Sequence, residues 1–237
     1  MRRYSLRMSQ HIGIVGCSAE GAALCYRTVC LEGAALLGRA DAHPEVSLHT
    51  HSLAEYVVHL EAGDLEGVAR LMLDSAAKLA QGGADFLVCP DNTIHEALPR
   101  VLPESPRPWL HIAEVVAGEA RTRGFRKVGI MGTSWLVRSE VYPSRLNAVG
   151  IEAVRPSDTD RDTTSRIIMT ELVRGQFRPD SIAELEEVAR RLAARGCDAV
   201  VLGCTELPLV LGEVVASLPT LDSTRLLARA ALRRAVL

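Results

Sequence analysis

The stretch GADFLVCPDNT (residues 83–93) occurs a second time, in altered form, as GCDAVVLGCTE at residues 196–206. In both copies a glycine and an aspartate precede a run of apolar residues, and the run ends at short polar residues. The apolar run predicts a buried β-strand, and the polar residues predict a loop at its carboxyl end. Asp91 in the first copy corresponds to Cys204 in the second. A duplicated fold would therefore place these two side chains at equivalent strand ends.

The segments before the two copies also match. Apolar residues recur at helical spacing over residues 64–80 and again over residues 181–195, and a glycine follows each segment. This pattern predicts an amphipathic helix before each strand, closed by the glycine. For the second helix the sequence predicts a capping box formed by Ser181 and Glu184.

Two further pairs of segments repeat in the same order. HIGIVGCS (residues 11–18) resembles KVGIMGTS (residues 127–134), and PWL (residues 108–110) resembles PTL (residues 219–221). Each matching pair is weak evidence of a repeat by itself. Three matches in one order, at a nearly constant separation, indicate that the chain is an internal duplication.

The repeated unit alternates short apolar strands with amphipathic helices, which predicts parallel sheets covered by helices. Residues 45–48 and 151–154 supply the second strand of each half. We therefore predict an α/β fold of two similar half-domains, each a short parallel sheet flanked by helices, related by pseudo-twofold symmetry. The expected half-domains are residues 1–113 and 114–221, with a C-terminal helix at residues 222–237 packing back on the first.

The amino-acid composition excludes some classes of function. The chain has 237 residues, is 48% hydrophobic and has a formal net charge of −2, so nucleic acid and membrane are not expected as partners. It lacks a run of about 18 apolar residues, and we interpret the basic opening, residues 1–8, as a tail. Six cysteines without metal-ligand spacing predict reduced thiols, a cytoplasmic location and no metal site.

Parallel sheets bind ligands beyond the carboxyl ends of their strands, and two reactive residues lie at such ends. Asp91 is either a turn or cap residue or a catalytic group. Cys204 precedes a segment with Pro208, which favours a helix start, and a thiol near a helix N-terminus has a lowered pKa. We interpret Asp91 and Cys204 as catalytic candidates that face each other across a cleft between the half-domains.

Other polar residues near strand ends are candidates for substrate binding, with helix or turn capping as their alternative role. For a histidine in this group, a surface or core position is the commoner alternative, and His95 is a candidate to cap or orient Asp91. GCSAEG (residues 16–21) lacks a nucleotide fingerprint. The candidate substrate-binding residues are Ser18, His51, Asn92, Thr93, Thr133, Ser134, Thr205 and Glu206.

At these residues the chain resembles the aspartate/glutamate racemase superfamily, over nearly all its length from His11 onward. Members carry PCNTxH in the first half and GCTE in the second. Here these are PDNTIH (residues 90–95) and GCTE (residues 203–206), so Asp91 replaces the first catalytic cysteine. The resemblance implies an enzyme that needs no cofactor and forms a homodimer. It also implies that the substrate's α-carboxylate and amine are held by Asn92, Thr93, Thr133 and Thr205.

The chain departs from the family pattern at two places. The N-terminal loop GGMGP is replaced by GCSAE (residues 16–20). Aspartate racemases place a basic residue after the second strand, to hold the distal carboxylate of the substrate, whereas HTHSLAEY (residues 49–56) contains no arginine. Arg174 is a candidate match for a family lysine. The identity of the substrate's side chain therefore stays open.

A racemase without a cofactor needs one acid–base group on each face of the substrate's Cα. We predict an isomerase, an amino-acid racemase or epimerase, with Asp91 and Cys204 as the opposed groups. Their reference pKa values differ by roughly 4.6 units. We expect burial to raise the pKa of Asp91 and the helix dipole to lower that of Cys204.

Two alternatives remain open. In the first, Cys204 alone catalyses the decarboxylation or isomerisation of a small dicarboxylic acid, while Asp91 positions the substrate. In the second, the chain is a non-catalytic module that binds a small ligand, and Cys204 argues against this because binding alone needs no thiol. In the enzymatic interpretations the partner is a small amino or dicarboxylic acid.

Overall fold

A computed structural model describes residues 9–237 of the chain. The segment at residues 1–8, interpreted above as a tail, lies outside this described part. None of the helices in residues 9–237 combines the length and the apolar character needed to cross a bilayer.

The first half contains a four-stranded parallel sheet with the strand order β2-β1-β3-β4. The two central strands, β1 and β3, are buried along their whole length, because helices cover both faces of the sheet. The strands are β1 (Ile12–Gly16), β2 (Val46–Thr50), β3 (Phe86–Val88) and β4 (Trp109–Leu110).

Five α-helices belong to this part of the chain, together with a 3₁₀ turn at Thr93–Ala97. The predicted helix before the first repeated strand is confirmed, and the Asp64 side chain caps it. The helices are α1 (Ala19–Leu37), α2 (Leu53–Glu61), α3 (Leu65–Gln81), α4 (Leu98–Val101) and α5 (Ile112–Thr122).

The second half repeats this arrangement. Its sheet has the order β6-β5-β7-β9-β8, and only β8, which pairs with β9, runs antiparallel. The first four strands of this order correspond to β2-β1-β3-β4, which confirms the predicted fold of two similar α/β halves. The strands are β5 (Lys127–Met131), β6 (Glu152–Val154), β7 (Ala199–Leu202), β8 (Val214–Val215) and β9 (Leu218–Asp222).

Six α-helices and a 3₁₀ turn at Leu172–Arg174 complete the second half. The helices are α6 (Ser134–Arg138), α7 (Val141–Ala148), α8 (Asp158–Thr170), α9 (Pro179–Ala194), α10 (Leu207–Val210) and α11 (Ser223–Val236).

The repeated Gly-x-Asp motif has the same structural task in both halves. The glycine has φ of 93° in the first copy and 83° in the second, a conformation that other residues rarely adopt. The Asp85 carboxylate then accepts the backbone N–H of His11, and the Asp198 carboxylate accepts that of Lys127. The motif therefore ties the strand that follows it to the start of the neighbouring central strand.

The predicted capping box at the start of α9 is wrong. The helix begins at Pro179, two residues before Ser181, because proline has the φ of a first helical turn and needs no N–H partner there. The Ser181 hydroxyl instead donates a hydrogen bond to Oε2 of Glu171 at 2.6 Å.

The helix α11 follows the last strand of the second sheet but packs on the first half. Its side chains Leu227 and Ala231 join the apolar cluster that contains Ile12 and Ile14 of β1. The helix α5 also contributes apolar side chains to the cores of both halves. The boundary near residue 113 therefore stays a prediction.

Candidate active site

A cavity of about 70 Å³ lies between the two halves, at the carboxyl ends of the central strands. Its wall includes both Asp91, which follows β3, and Cys204, which follows β7. The strand ends of the second half approach closely, since a Cβ on Gly203 would lie 2.5 Å from a Leu136 side-chain atom and 3.0 Å from the Met131 carbonyl oxygen. The glycine before Cys204 is therefore a packing requirement.

The Asp91 side chain is anchored by the loop after β1. Its Oδ2 accepts the backbone N–H of Cys17 and its Oδ1 accepts that of Ser18, each at 3.1 Å. Burial raises the pKa of Asp91 to about 6, against the opposing effect of the hydrogen bonds from Ser18, and the charge of Glu206 raises it further. The direction agrees with the expectation from the sequence.

The Cys204 thiol is hydrogen-bonded to a carboxylate. Its Sγ donates to Oε2 of Glu206 at 2.9 Å. Burial raises the pKa of Cys204 well above its ordinary value, and the negative charge of Glu206 raises it further. The predicted lowering by a helix dipole is wrong, because α10 has only four residues and begins at Leu207, beyond the opposing carboxylate. Both effects, burial and the charge of Glu206, favour the protonated thiol.

Glu206 links the two candidate catalytic groups. Its Oε2 also accepts the Thr205 hydroxyl at 2.8 Å, and the Thr205 and Ser18 hydroxyl oxygens lie 3.1 Å apart. Since the Ser18 N–H binds Asp91, a continuous hydrogen-bonded path runs from Cys204 to Asp91 across the two halves.

The two predicted threonines at the centre of the cleft contact each other. The Oγ1 atoms of Thr93 and Thr133 are 3.0 Å apart, and both residues line the cavity. Thr133 also caps α6, because its Oγ1 accepts the backbone N–H of Leu136 at 3.3 Å. Capping and exposure to the cavity are therefore compatible in this residue.

Asn92 lines the cavity, but its side chain is largely occupied by structural contacts. Its Oδ1 accepts the Tyr142 hydroxyl, and its Nδ2 donates to Oγ of Ser223 at 3.0 Å. Ser223 in turn donates to the Leu202 carbonyl oxygen at 2.8 Å. The sequence did not point to Tyr142 or Ser223, since their role arises only where the two halves meet.

Two of the predicted substrate-binding residues lie outside this cavity wall. The Ser134 hydroxyl donates to Oδ1 of Asp162 at 3.3 Å. His51 lines an adjoining cavity that shares Ser18 and Glu206, and its Nε2 lies 2.7 Å from Oδ2 of Asp74.

Two other residues considered above also do not contact Asp91 or Cys204. His95 contacts the Cys89 carbonyl oxygen, through Nε2 at 2.9 Å, where we expected it to orient Asp91. Burial lowers the pKa of His95 to about 4, so this histidine is neutral. Arg174 is exposed and is not part of the cavity wall.

Within residues 9–237, His49, His51 and Asp74 have potential metal-ligand atoms within 4.8 Å of one another. The sequence predicted no metal site. The Asp74 carboxylate oxygen that meets His51 also lies 2.6 Å from the Lys78 ammonium group. The positive charge of Lys78 opposes the binding of a cation there.

A duplicated α/β fold, with a carboxyl group and a thiol at matching strand ends of one cleft, is typical of an enzyme that moves protons. The chain belongs to the Asp/Glu/Hydantoin racemase family, whose model matches residues 12–231. This confirms the resemblance inferred from the sequence.

Individual racemases resemble the chain over most of its length. The broad specificity amino-acid racemase RacX of Bacillus subtilis is 24% identical over 169 residues, which cover 70% of this chain and 71% of RacX. A glutamate racemase of Thermus thermophilus is 32% identical over 169 residues, 68% of this chain and 60% of that enzyme. The chain thus matches less than two thirds of the length of this glutamate racemase. Racemases are isomerases.

Solved structures resemble the whole fold. A putative Asp/Glu racemase from Yersinia pestis has a TM-score of 0.87 and 30% identity, covering 96% of this chain and 100% of that one. An aspartate racemase homologue from Pyrococcus horikoshii OT3 has a TM-score of 0.80 and 27% identity, covering 95% and 99%. Glutamate racemase from Aquifex pyrophilus, at 18% identity and a TM-score of 0.63, shares the fold over 93% of this chain and 82% of its own.

Proposed function

We propose that this chain is a cofactor-independent amino-acid racemase or epimerase that uses Asp91 and Cys204 as opposed acid and base at the substrate's Cα. The observation that carries the proposal is that these two residues, from equivalent strand ends of the two halves, line one cavity. Membership of the racemase family supports the same reaction class.

The protonation states favour a definite first step. With a pKa of about 6, Asp91 is mostly ionised at neutral pH and takes the proton from Cα. The Cys204 thiol gives its proton to the opposite face of the resulting carbanion. The step leaves a protonated Asp91 and a Cys204 thiolate, which are the groups that the reverse reaction needs.

The raised pKa of Cys204 makes the thiolate costly in the free enzyme. One feature reduces this cost during turnover. The ammonium group of a bound amino acid adds a positive charge, which lowers the pKa of nearby acids. Any remaining asymmetry changes the rates of the two directions and leaves the equilibrium between enantiomers unaltered.

Substrate binding is assigned to the polar side chains of the same cavity. The Thr93 and Thr133 hydroxyls are suited to the α-carboxylate, since they meet at the centre of the cleft. The carboxylates of Glu206 and Asp91 attract the α-ammonium group. The roles of Ser18, Asn92 and Thr205, like those of Ser134 and His51 outside the wall, stay predictions.

Incorporation of solvent deuterium at Cα tests the proposal. Purified protein without pyridoxal phosphate is incubated in D₂O with a panel of D- and L-amino acids, and exchange is followed by NMR. Cys204→Ser is expected to lose exchange by on the order of 100- to 10,000-fold, as is Asp91→Asn. Cys30→Ser, on α1 and outside the cavity, is the matched control and should retain activity. Absence of exchange across the whole panel would contradict the proposal.

One observation favours a second candidate function, one-base chemistry on a small dicarboxylic acid. Both Asp91 carboxylate oxygens already accept backbone N–H groups, and Cys204 is held as a proton donor. In such an enzyme Cys204 protonates an enediolate while Asp91 only positions the substrate. Asp91→Asn separates the two functions, because a one-base enzyme retains much of its activity.

The assembly is a further proposal. The family resemblance implies a homodimer, and analytical ultracentrifugation of the purified chain measures its mass directly. A monomer at all concentrations would contradict this part of the proposal. A cytoplasmic location stays a prediction from cysteine usage.

A further inference from the structure

The cavity wall has two chemically different parts. Asp91, Cys204 and Glu206, which follow the strands β3 and β7, form the part that we call the reacting end. The remainder of the wall is mostly apolar, and both halves contribute to it. The side chains that form this apolar wall include Leu53, Val57 and Leu60 of α2 and Ile168, Met169 and Val173 of α8 and the turn after it.

Among the described residues that line the cavity there is no lysine, arginine or histidine. The ionisable carboxyl groups there are Asp91 and Glu206, both at the reacting end. A substrate with a carboxylate in its side chain would bury that charge without a cation and near two carboxyl groups, which is strongly unfavourable.

The residue that follows β2 does not line this cavity either. His51 lies there, but it lines the adjoining cavity and its Nε2 hydrogen-bonds to Asp74. A site for a distal carboxylate is therefore missing from the place where the resemblance led us to look for one.

A cationic side chain fits no better. Glu206 is already bound by the Cys204 thiol and the Thr205 hydroxyl. Asp91 is bound by two backbone N–H groups. Since both carboxyl groups lie at the reacting end, a long cationic side chain would end against apolar residues with its charge unpaired.

We infer that the substrate is an amino acid with an uncharged, apolar side chain, which packs between α2 and the segment from Ile168 to Val173. This inference rests on the proposed function and adds the substrate class to it. Val57 is the most informative wall residue, because it is half-buried on a surface helix whose next residue, Val58, is 63% exposed and lies outside the wall.

A comparison of amino acids with different side chains tests the substrate class. The rate of deuterium exchange is measured for alanine, leucine, methionine, aspartate, glutamate, lysine and arginine in both enantiomers. We expect kcat/KM for leucine or methionine to exceed that for aspartate or glutamate by on the order of 100-fold. A preference for any charged amino acid would overturn the inference and leave the racemase function intact.

If no amino acid exchanges, the proposed function fails, and binding then decides the substrate class. Isothermal titration of the Cys204→Ser protein with D- and L-leucine and with D- and L-aspartate gives this separate readout. Tighter binding of leucine supports the apolar site, and tighter binding of aspartate, or no binding of either, overturns it.

A charge placed in the wall sharpens the test. Val57→Arg is expected to lower kcat/KM for leucine by about tenfold or more and to narrow or reverse the preference over aspartate. Val58→Arg adds the same charge to the same helix outside the wall and should leave the preference unchanged. Val57→Ala retains an apolar wall and provides a second variant at this position if the arginine variant does not fold. If Val57→Arg and Val58→Arg both fold and have equal preferences for leucine over aspartate, the inference is overturned.

Discussion

The ends of β3 and β7 are equivalent positions of a duplicated fold, and burial raises the pKa of the acid at both, yet the hydrogen bonds at the two ends act on ionisation in opposite ways. At the end of β3, two backbone N–H groups point at the Asp91 carboxylate and stabilise its negative charge. At the end of β7, the Glu206 carboxylate accepts the Cys204 proton and opposes a thiolate. The duplication therefore reproduced the position of the two groups and not their electrostatics. At Asp91 the hydrogen bonds oppose the effect of burial on the pKa, and at Cys204 the hydrogen bond to Glu206 reinforces it.

The largest effect that we expect concerns the Asp91 end, where the free energy of unfolding should depend on pH. The folded-state pKa of Asp91, about 6, lies above the ordinary value of 3.8. Between these values the folded protein binds more protons than the unfolded chain, so stability contributed by this group is present below pH 4 and lost as pH rises through 6. At 1.36 kcal/mol per unit the loss is about 3 kcal/mol.

Urea unfolding from pH 4 to pH 8 measures this effect. The wild-type free energy of unfolding should fall relative to that of Asp91→Asn across the interval. Parallel curves for the two proteins would show that the Asp91 pKa is not raised.

A smaller effect is expected when the opposing charge at the end of β7 is removed. Glu206→Gln leaves a side chain of the same shape without the negative charge, so the pKa of Cys204 should fall. The rate of alkylation by iodoacetamide as a function of pH reports this pKa. Glu213→Gln, a change at an exposed residue outside the cavity, is the control. An unchanged profile in Glu206→Gln would mean that burial alone holds the proton on the thiol.

The smallest effect concerns the contact that fixes the first strand end to the second half. Tyr142→Phe leaves the buried Asn92 oxygen without its hydroxyl donor, which should cost about 1–3 kcal/mol in the free energy of unfolding. Thermal and urea denaturation measure the cost. Tyr26→Phe, at an exposed position on α1, is the control and should be nearly neutral. Equal stabilities of the two variants would show that the hydrogen bond from Tyr142 to Asn92 adds nothing to stability.

Much of the fold could be predicted from local patterns in the sequence. Each pattern is short, but its second occurrence supported the structure predicted from the first. The Gly-x-Asp motif, the apolar strand and the preceding amphipathic helix are short-range signals that reappear 113 residues later. The start of α9 was missed because Pro179 begins the helix two residues before Ser181, and the Ser181 hydroxyl binds Glu171 instead.

The site was less predictable than the fold, and for a physical reason. Strand ends identified Asp91 and Cys204 as cavity residues, since position in a parallel sheet is encoded locally. The direction of the pKa shift at Cys204 was missed because the sequence gives the neighbours of a group and not their orientation. The Glu206 carboxylate is also bound by the Thr205 hydroxyl, which in turn contacts Ser18 of the other half. The apolar wall is likewise assembled from two distant segments.

The packing of α11 has a consequence for how the protein is made. The segment Ser223–Val236 supplies one face of the core around β1, yet the ribosome produces it only after the whole second sheet. The first sheet must therefore wait, with apolar side chains uncovered, until that segment emerges. The two halves are expected to fold and unfold as one cooperative unit, although each looks like a complete repeat.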